Sequence, residues 1–135
     1  MIRKDYILRW AQELAKVLAT LLGKAPDLSL DILDEAYRDL LAFDPNRLND
    51  IPEGEWMDYL TLDRQFNEGQ LDFLAQLIAK EAEFRFLQQE ALSSRLKCRQ
   101  ALCIFEYLEV TQGIFSFERQ EVMGKLQRIL AENWG

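Results

Sequence analysis

The longest uninterrupted part of this chain is a run of forty-three residues, from Gln70 to Gln112, that contains neither Gly nor Pro. Apolar residues recur along it at three- and four-residue spacing, which is the period of a helix. A polar, small patch at 88–94 is the one place where the run can turn. The run therefore predicts a long antiparallel hairpin of two helices, at about 70–90 and 93–111.

Helical patterns also occur outside this run. The second helix begins where Asp27 or Ser29 can cap it, and Gly23 ends the helix before it. We therefore predict an all-α fold, a compact bundle of five or six helices in a single domain over residues 1–135. The helices outside the hairpin are predicted at about 5–22, 27–41 and 53–62, with a last one after Ser116.

The helix predicted at 93–111 carries apolar residues on nearly every side. Its polar residues form one narrow stripe, which consists of Arg95, Arg99, Glu106 and Glu109. A helix that is apolar all round is usually covered on most sides. We therefore expect this helix to be the central and most buried one.

The composition excludes several classes of function. The chain contains no histidine, which removes the usual general base near neutral pH and the commonest metal ligand. No Gly-rich phosphate loop, nucleophile elbow or zinc spacing occurs, so no cofactor and no metal are expected. Cys98 and Cys103 are predicted to be reduced, because their spacing prevents one helix from bridging them. No apolar run is long enough to span a membrane, and the N-terminal region is too polar for a signal peptide, so we expect a cytoplasmic protein.

The net charge of −7 is unevenly distributed. Residues 27–72 carry three basic and thirteen acidic side chains. Such an acidic middle segment argues against nucleic acid as a partner, because binding the phosphate backbone requires basic residues. The segment is either a solvated face or a docking surface for a basic protein partner.

Two charged residues fall inside the apolar arc of the 70–90 helix, Glu81 and Arg85. Their i,i+4 spacing lets them pair with each other, and burying either one alone costs several kcal/mol. They form either a structural ion pair at the edge of the core, within reach of Arg99 or Glu106, or the polar floor of a groove between the hairpin helices. The groove would recognise a peptide or a small charged ligand.

Aromatic residues suggest a further contact surface. Trp10 widens the apolar face of the first helix, and Trp56 and Tyr59 form the apolar side of the third. A domain of this size has limited core in which to bury them all. Leftover aromatic surface usually marks a contact site, so we expect a homodimer or a protein partner to cover these side chains. The alternative is a monomer that buries both aromatic faces internally.

Two weaker patterns involve carboxylates. The segment 44–50 has some features of a calcium loop, but Leu48 occupies a ligand position and the required Gly is missing. Asp31, Asp34 and Glu35 share one helical turn, with Asp27 and Asp39 nearby, and together they could coordinate a hard cation. A solvated face is the simpler interpretation of this cluster.

The segment from Leu74 to Leu108 resembles a tetratricopeptide-type helical hairpin, through Leu74-x-x-Leu77 and Ala101-x-x-x-Phe105. The usual Gly of the first helix is replaced by Ile78, and no second copy is evident. The resemblance implies a hairpin that serves protein binding.

The chain also resembles a small bacterial family of helical proteins of about this length. The opening Met1-Ile2-x-x-Asp5-Tyr6-Ile7-x-Arg9 carries the resemblance, together with 105–108 and 115–119. It implies a bacterial origin and no particular activity.

Taken together, these features favour a non-enzymatic helical domain that binds another protein, as an adaptor or a scaffold. The contact surface would be the groove beside the hairpin or the acidic middle segment. The alternative is a small-ligand-binding protein or an enzyme that uses carboxylates. Its candidate residues are Glu81, Arg85 and the cluster within 31–39.

Overall fold

A computed structural model describes residues 2–113 and 116–132, with side chains from residue 5 onward. Over these ranges all of the secondary structure is helical, which confirms the all-α prediction. Met1 and Phe115, from the motifs of the bacterial resemblance, lie outside the described residues. The helices are α1 (Ile2–Leu21), α2 (Pro26–Leu41), α3 (Asn46–Asn49), α4 (Trp56–Asp58), α5 (Glu68–Leu87), α6 (Ala91–Gln112) and α7 (Phe117–Ala131).

The described residues thus form seven helices rather than five or six. The additional helix is α3, a single turn within the segment that was expected to be a loop. The helix predicted at 53–62 is a composite, in which a 3₁₀ turn (Glu53–Glu55) precedes α4 and a π turn (Tyr59–Asp63) follows it. No helix within the described ranges is both long and apolar enough to cross a membrane.

The hairpin predicted from the uninterrupted run consists of α5 and α6, joined by three residues. Near the turn, the Ser94 hydroxyl donates a hydrogen bond to the carbonyl oxygen of Ala82 over 2.8 Å. At the opposite end, Gln112 Nε2 donates to Glu68 Oε2 over 3.3 Å. Because early residues of one helix meet late residues of the other, the two helices are antiparallel.

The central helix is α5 and not α6, so the prediction about the most buried helix is wrong. Ten of the twenty residues of α5 are buried, and this helix packs against α1, α2, α6 and α7. Helix α6 packs against α4, α5 and α7, and its outer face leaves Leu92 87% and Val110 85% exposed. Within residues 2–113 and 116–132, no helix covers Leu92 or Val110 on that outer face.

Gly69 lies inside the first turn of α5, just before the start predicted for this helix at about residue 70. A Cβ atom at this position would lie 3.0 Å from Trp10 Cδ1 and 3.3 Å from Tyr6 Cδ2. The missing side chain lets α1 approach α5 closely, and the Trp10 ring then packs 5.1 Å from the Phe73 ring. Asn67 caps the start of α5, and its side chain accepts a hydrogen bond from the backbone N–H of Gln70 over 2.8 Å.

The start of α2 also differs from the prediction. The helix begins at Pro26, and the residue before it is Ala25, which makes no side-chain cap. Proline suits the first helical position because it lacks the N–H that would otherwise have no partner there. Asp27 and Ser29 therefore lie inside the helix rather than at its cap, and Ser29 is buried.

Candidate functional site

The end of α2 is shaped by an unusual backbone conformation and by a long-range cap. Ala42 adopts a left-handed conformation with φ at 49°, and its N–H donates to the carbonyl oxygen of Arg38 over 3.1 Å. Arg64 Nη2 donates to the carbonyl oxygens of Leu41 and Ala42 over 3.1 and 2.9 Å. The guanidinium thus satisfies carbonyls that the end of the helix leaves unpaired, and it fixes the direction in which the chain leaves α2.

The loop that follows encloses a cleft between α2 and α3. Asp44 Oδ1 accepts a hydrogen bond from the backbone N–H of Asn46 over 3.0 Å, and this turn leads into α3. The cleft has a volume of about 600 Å³, and we call it the α2–α3 cleft. Its lining combines carboxylates, a guanidinium and loop backbone, and comprises Asp34, Arg38, Ala42, Phe43, Asp44, Pro45 and Asn46.

Glu81 of α5 is the centre of a buried polar network next to α2. Its side chain is 3% exposed, and each of its carboxylate oxygens has a donor. The Tyr37 hydroxyl donates to Oε1 over 2.9 Å, and Arg85 Nε lies 2.7 Å from Oε2. Burial and the Glu81 charge raise the pKa of Tyr37 well above its ordinary value, so the hydroxyl stays protonated and can donate. Arg85 also pairs with Glu90 at 2.8 Å.

Lys97 of α6 is a second buried charge in the same region. The residue is 3% exposed, and its Nζ donates to Gln100 Oε1 over 3.2 Å and to the carbonyl oxygen of Pro45 over 3.5 Å. Among the described residues, no carboxylate oxygen lies within 4.0 Å of this ammonium group. Burial lowers the pKa of Lys97. Gln100 in turn donates from Nε2 to Asn49 Oδ1 over 2.8 Å, which ties α6 to α3.

The sequence interpretation missed Lys97, although a signal was available. Lys97 precedes Ala101 by four residues and Ile104 by seven, so all three lie on one side of the helix. Ala101 and Ile104 face the core. A lysine flanked in this way by core positions must be buried with polar partners or must line a cavity.

The structure does not bring the four charged groove candidates together. Glu81 and Arg85 form the ion pair that their spacing predicted. Arg99 and Glu106 are exposed on the far side of α6, where Arg99 Nε lies 3.4 Å from Glu53 Oε1. A groove floored by all four residues is therefore excluded by geometry.

The aromatic candidates do not form an exposed surface either. Trp10 is buried against α5, and Trp56 is buried with its Nε1 donating to the carbonyl oxygens of Leu48 and Ile51, both over 2.9 Å. Tyr59 is half-buried, with the Arg47 guanidinium 6.0 Å from its ring centroid. The argument for a homodimer required leftover aromatic surface at the tryptophans, and the chain itself covers both.

A separate buried charge occurs at the other end of α5, where Arg119 of α7 is 8% exposed. Its Nη2 donates to Gln112 Oε1 over 3.0 Å and to Asp72 Oδ1 over 3.4 Å. Within the described part of the chain, its Nε and Nη1 have no hydrogen-bond partner, although Nη1 lies 3.8 Å from Glu109 Oε1. Burial raises the pKa of Asp72, even though the Arg119 charge opposes the shift.

The acidic middle segment supplies an exposed face on α2 and a shallow groove beside it. The groove has a volume of about 290 Å³ and lies between α1 and α2; we call it the α1–α2 groove. Its apolar lining includes Val17, Ile32, Ala36 and Leu40, and its carboxylates are Glu13, Glu35 and Asp39.

The carboxylates of 31–39 do not form a metal-binding group. Residues 5–113 and 116–132 contain no group of three or more Cys, Asp or Glu side chains placed to hold a metal ion.

No protein-family model, no curated protein and no solved structure matches the chain.

Proposed function

We propose that the protein is a non-enzymatic interaction domain that binds a basic, amphipathic segment of a protein partner along the α1–α2 groove. The observation that carries this proposal is the position of exposed carboxylates beside an apolar channel. Glu35 and Asp39 are exposed on α2, and Leu40 beside them is 37% exposed. The groove therefore combines an apolar floor with a negative rim.

The charges at this rim are weakly neutralised within the chain. Lys16 lies 3.5 Å from Glu13, and Arg38 lies 3.7 Å from Asp39. Exposed pairs of this kind contribute at most about 1 kcal/mol, so a partner can replace them at little cost. The surrounding segment adds a negative field, since residues 27–72 hold thirteen acidic and three basic side chains. Such a field attracts a basic partner and speeds its association.

The chemistry of the occupant follows from the groove. Leucine-like side chains at i, i+3 and i+4 of a helix would occupy the floor between Val17 and Leu40, while lysine or arginine side chains would reach Glu35 and Asp39.

We propose that this domain acts in the cytoplasm of a bacterium. We also propose that the α5–α6 hairpin is tetratricopeptide-like, and that it serves as the rigid support on which α1 and α2 are held.

A labelled model peptide tests the groove directly. The probe is a fluorescently labelled helical peptide about 15 residues long, with leucines on one face and lysines on the other. Its binding to the protein is measured by fluorescence anisotropy. We expect binding that weakens as the salt concentration rises toward about 0.15 M, because exposed charges are screened. A peptide with glutamate in place of lysine should not bind.

Matched charge-reversal variants distinguish binding in the α1–α2 groove from attraction by the overall negative charge of the protein. The double variant Glu35→Lys/Asp39→Lys should weaken binding about tenfold or more. The control Asp58→Lys/Asp63→Lys makes the same change of charge at exposed positions outside the groove, and should reduce the affinity much less. Equal losses in the two variants would show that the peptide responds to net charge alone and would refute a specific groove.

A further inference from the structure

The α2–α3 cleft carries charges of both signs on its wall. Asp34 and Asp44 supply carboxylates, Arg38 supplies a guanidinium, and the loop backbone of 42–46 separates them. The volume of about 600 Å³ is within the range of sites for small molecules. This cleft is distinct from the α1–α2 groove, because no residue lines both.

The ammonium group of Lys97 lies behind Pro45 and does not itself line the cleft. The carbonyl oxygen of Pro45 accepts the longer of its two hydrogen bonds, at 3.5 Å, and Pro45 itself lines the cleft. An ammonium group has three donors, whereas the two acceptors of Lys97 are both neutral. A buried cation with neutral partners is the arrangement that an anionic group in the cleft would stabilise most.

Stability does not explain why this charge is buried. Moving an ammonium group out of water costs several kcal/mol, and replacing buried charges with apolar groups is often neutral or stabilising. This cost is greatest for a buried charge that has no carboxylate paired with it. Among the described residues, no carboxylate lies within ion-pair distance of Lys97. Buried charges retained next to a cavity are candidates for ligand contacts.

We propose that the α2–α3 cleft binds a small zwitterion of the α-amino acid type. The carboxylate of the ligand faces Arg38, with the positive charge of Lys97 behind Pro45, and its ammonium group faces Asp34 and Asp44. Because the wall of the cleft carries both negative and positive charges, the ligand must carry both as well. A simple anion would be repelled by Asp34 and Asp44. A simple cation would be repelled by Arg38 and by the buried lysine.

The electrostatic environment is consistent with close spacing of these groups. Burial lowers the pKa of Lys97, while Glu81, Asp44 and Asp34 raise it in part. Partial burial and the Glu81 carboxylate raise the pKa of Asp34. Both wall carboxylates thus lie close enough to the ammonium group for their charges to act on it.

Thermal unfolding in the presence of single compounds tests the ligand class. The probes are the standard free L-amino acids, each at about 10 mM, with acetate and methylammonium as compounds that carry one charge only. We expect at least one amino acid to raise the melting temperature by about 2 °C or more, with no comparable rise for acetate or methylammonium. A rise for no amino acid, or an equal rise for either single-charge compound, overturns the proposal.

Calorimetric titration of the amino acid that gives the largest shift then tests the residues. Asp34→Asn and Lys97→Gln should each weaken binding about tenfold or more, whereas Asp58→Asn, at an exposed position outside the cleft, should stay within about twofold of the wild type. Asp34 is exposed, so its variant should fold even if Lys97→Gln does not. An Asp34→Asn protein that binds as the wild type does would refute the site.

Discussion

Helices α5 and α6 come from one uninterrupted run of sequence and have similar lengths, yet their surroundings differ. Helix α5 is enclosed by four other helices, whereas α6 leaves an apolar outer face uncovered. On a helical wheel α6 is apolar on nearly every side, but a wheel records what a helix could bury and not which neighbours are present. The number of packing partners decides which helix is central.

The two helices also differ in how they hold a buried charge. Glu81 of α5 has a donor on each carboxylate oxygen, whereas Lys97 of α6 has two neutral acceptors. A fully satisfied network can fix the arrangement of helices at moderate cost, while an incompletely satisfied one is expensive. We therefore infer that Glu81 serves the fold and that Lys97 is kept for another reason.

The largest expected effect is the removal of a core ring from the inner face of α6. Phe105 is fully buried, and Phe105→Ala should lower the free energy of unfolding by about 3–5 kcal/mol through cavity formation. Val110→Ala, on the outer face of the same helix, should change it by less than about 0.5 kcal/mol. Urea unfolding measures both variants. Similar losses in the two would mean that the outer face of α6 is covered in solution and that the contrast with α5 is false.

Removal of Glu81 should have the next largest effect. Glu81→Ala leaves the Tyr37 hydroxyl buried without its acceptor and deprives Arg85 of one of its two carboxylates. We expect a loss of about 2–3 kcal/mol in the free energy of unfolding. Glu83→Ala is the matched control on α5, because it removes a more exposed carboxylate that pairs with Lys80 at 3.2 Å, and it should lose less than about 1 kcal/mol. If both variants lose equally little, the Glu81 network does not stabilise the fold.

A smaller effect is expected where α1 meets α5. Gly69→Ala raises the intrinsic helix propensity, but its Cβ would lie 3.0 Å from Trp10, so the packing must shift. We expect a net loss of about 1–2 kcal/mol. Gly124→Ala in α7 adds a Cβ that would lie 3.6 Å from Arg128 Nη1, an ordinary contact with a flexible side chain, and should instead stabilise by about 0.5–1 kcal/mol. Stabilisation by both substitutions would show that α1 does not pack tightly on α5, which would weaken the claim that α5 is central.

Much of the fold was accessible from the sequence because local signals agree with the tertiary structure. The absence of Gly and Pro between 70 and 112 predicted the hairpin, and the helical periods predicted the remaining long helices. The role of Gly69 was not accessible from the sequence, because it is a close approach to Trp10, a residue 59 positions earlier in the chain. Trp56 was misplaced because its indole N–H finds backbone acceptors at Leu48 of α3 and at Ile51 just after it, which periodicity does not reveal.

The candidate sites were less accessible for a similar reason. The i,i+4 spacing gave the Glu81–Arg85 pair, since that contact lies within one helix. The α2–α3 cleft depends on Arg64, which fixes the end of α2 from more than twenty residues away. The burial of Lys97 depends on Pro45 and Asn49, which meet α6 only in the folded chain. Sequence spacing reveals contacts within a helix, and contacts between distant segments require the structure.

The smallest expected effect concerns the pH dependence of stability at Lys97. Burial lowers the pKa of this lysine in the folded protein below its ordinary value of 10.5. Between the folded pKa and 10.5, the unfolded chain binds a proton that the folded chain does not, so stability rises with pH through this window.

The variant Lys97→Met lacks this titration and should be at least as stable as the wild type near neutral pH. As the pH rises from about 7 to about 10, the stability of the wild type should increase relative to that of Lys97→Met. The raised pKa of Tyr37 acts in the opposite direction above its ordinary value of 10.0, but it is common to both proteins. Urea unfolding across this range measures the difference. A constant difference would mean that Lys97 is solvated in the folded state, and its contrast with the satisfied Glu81 would then disappear.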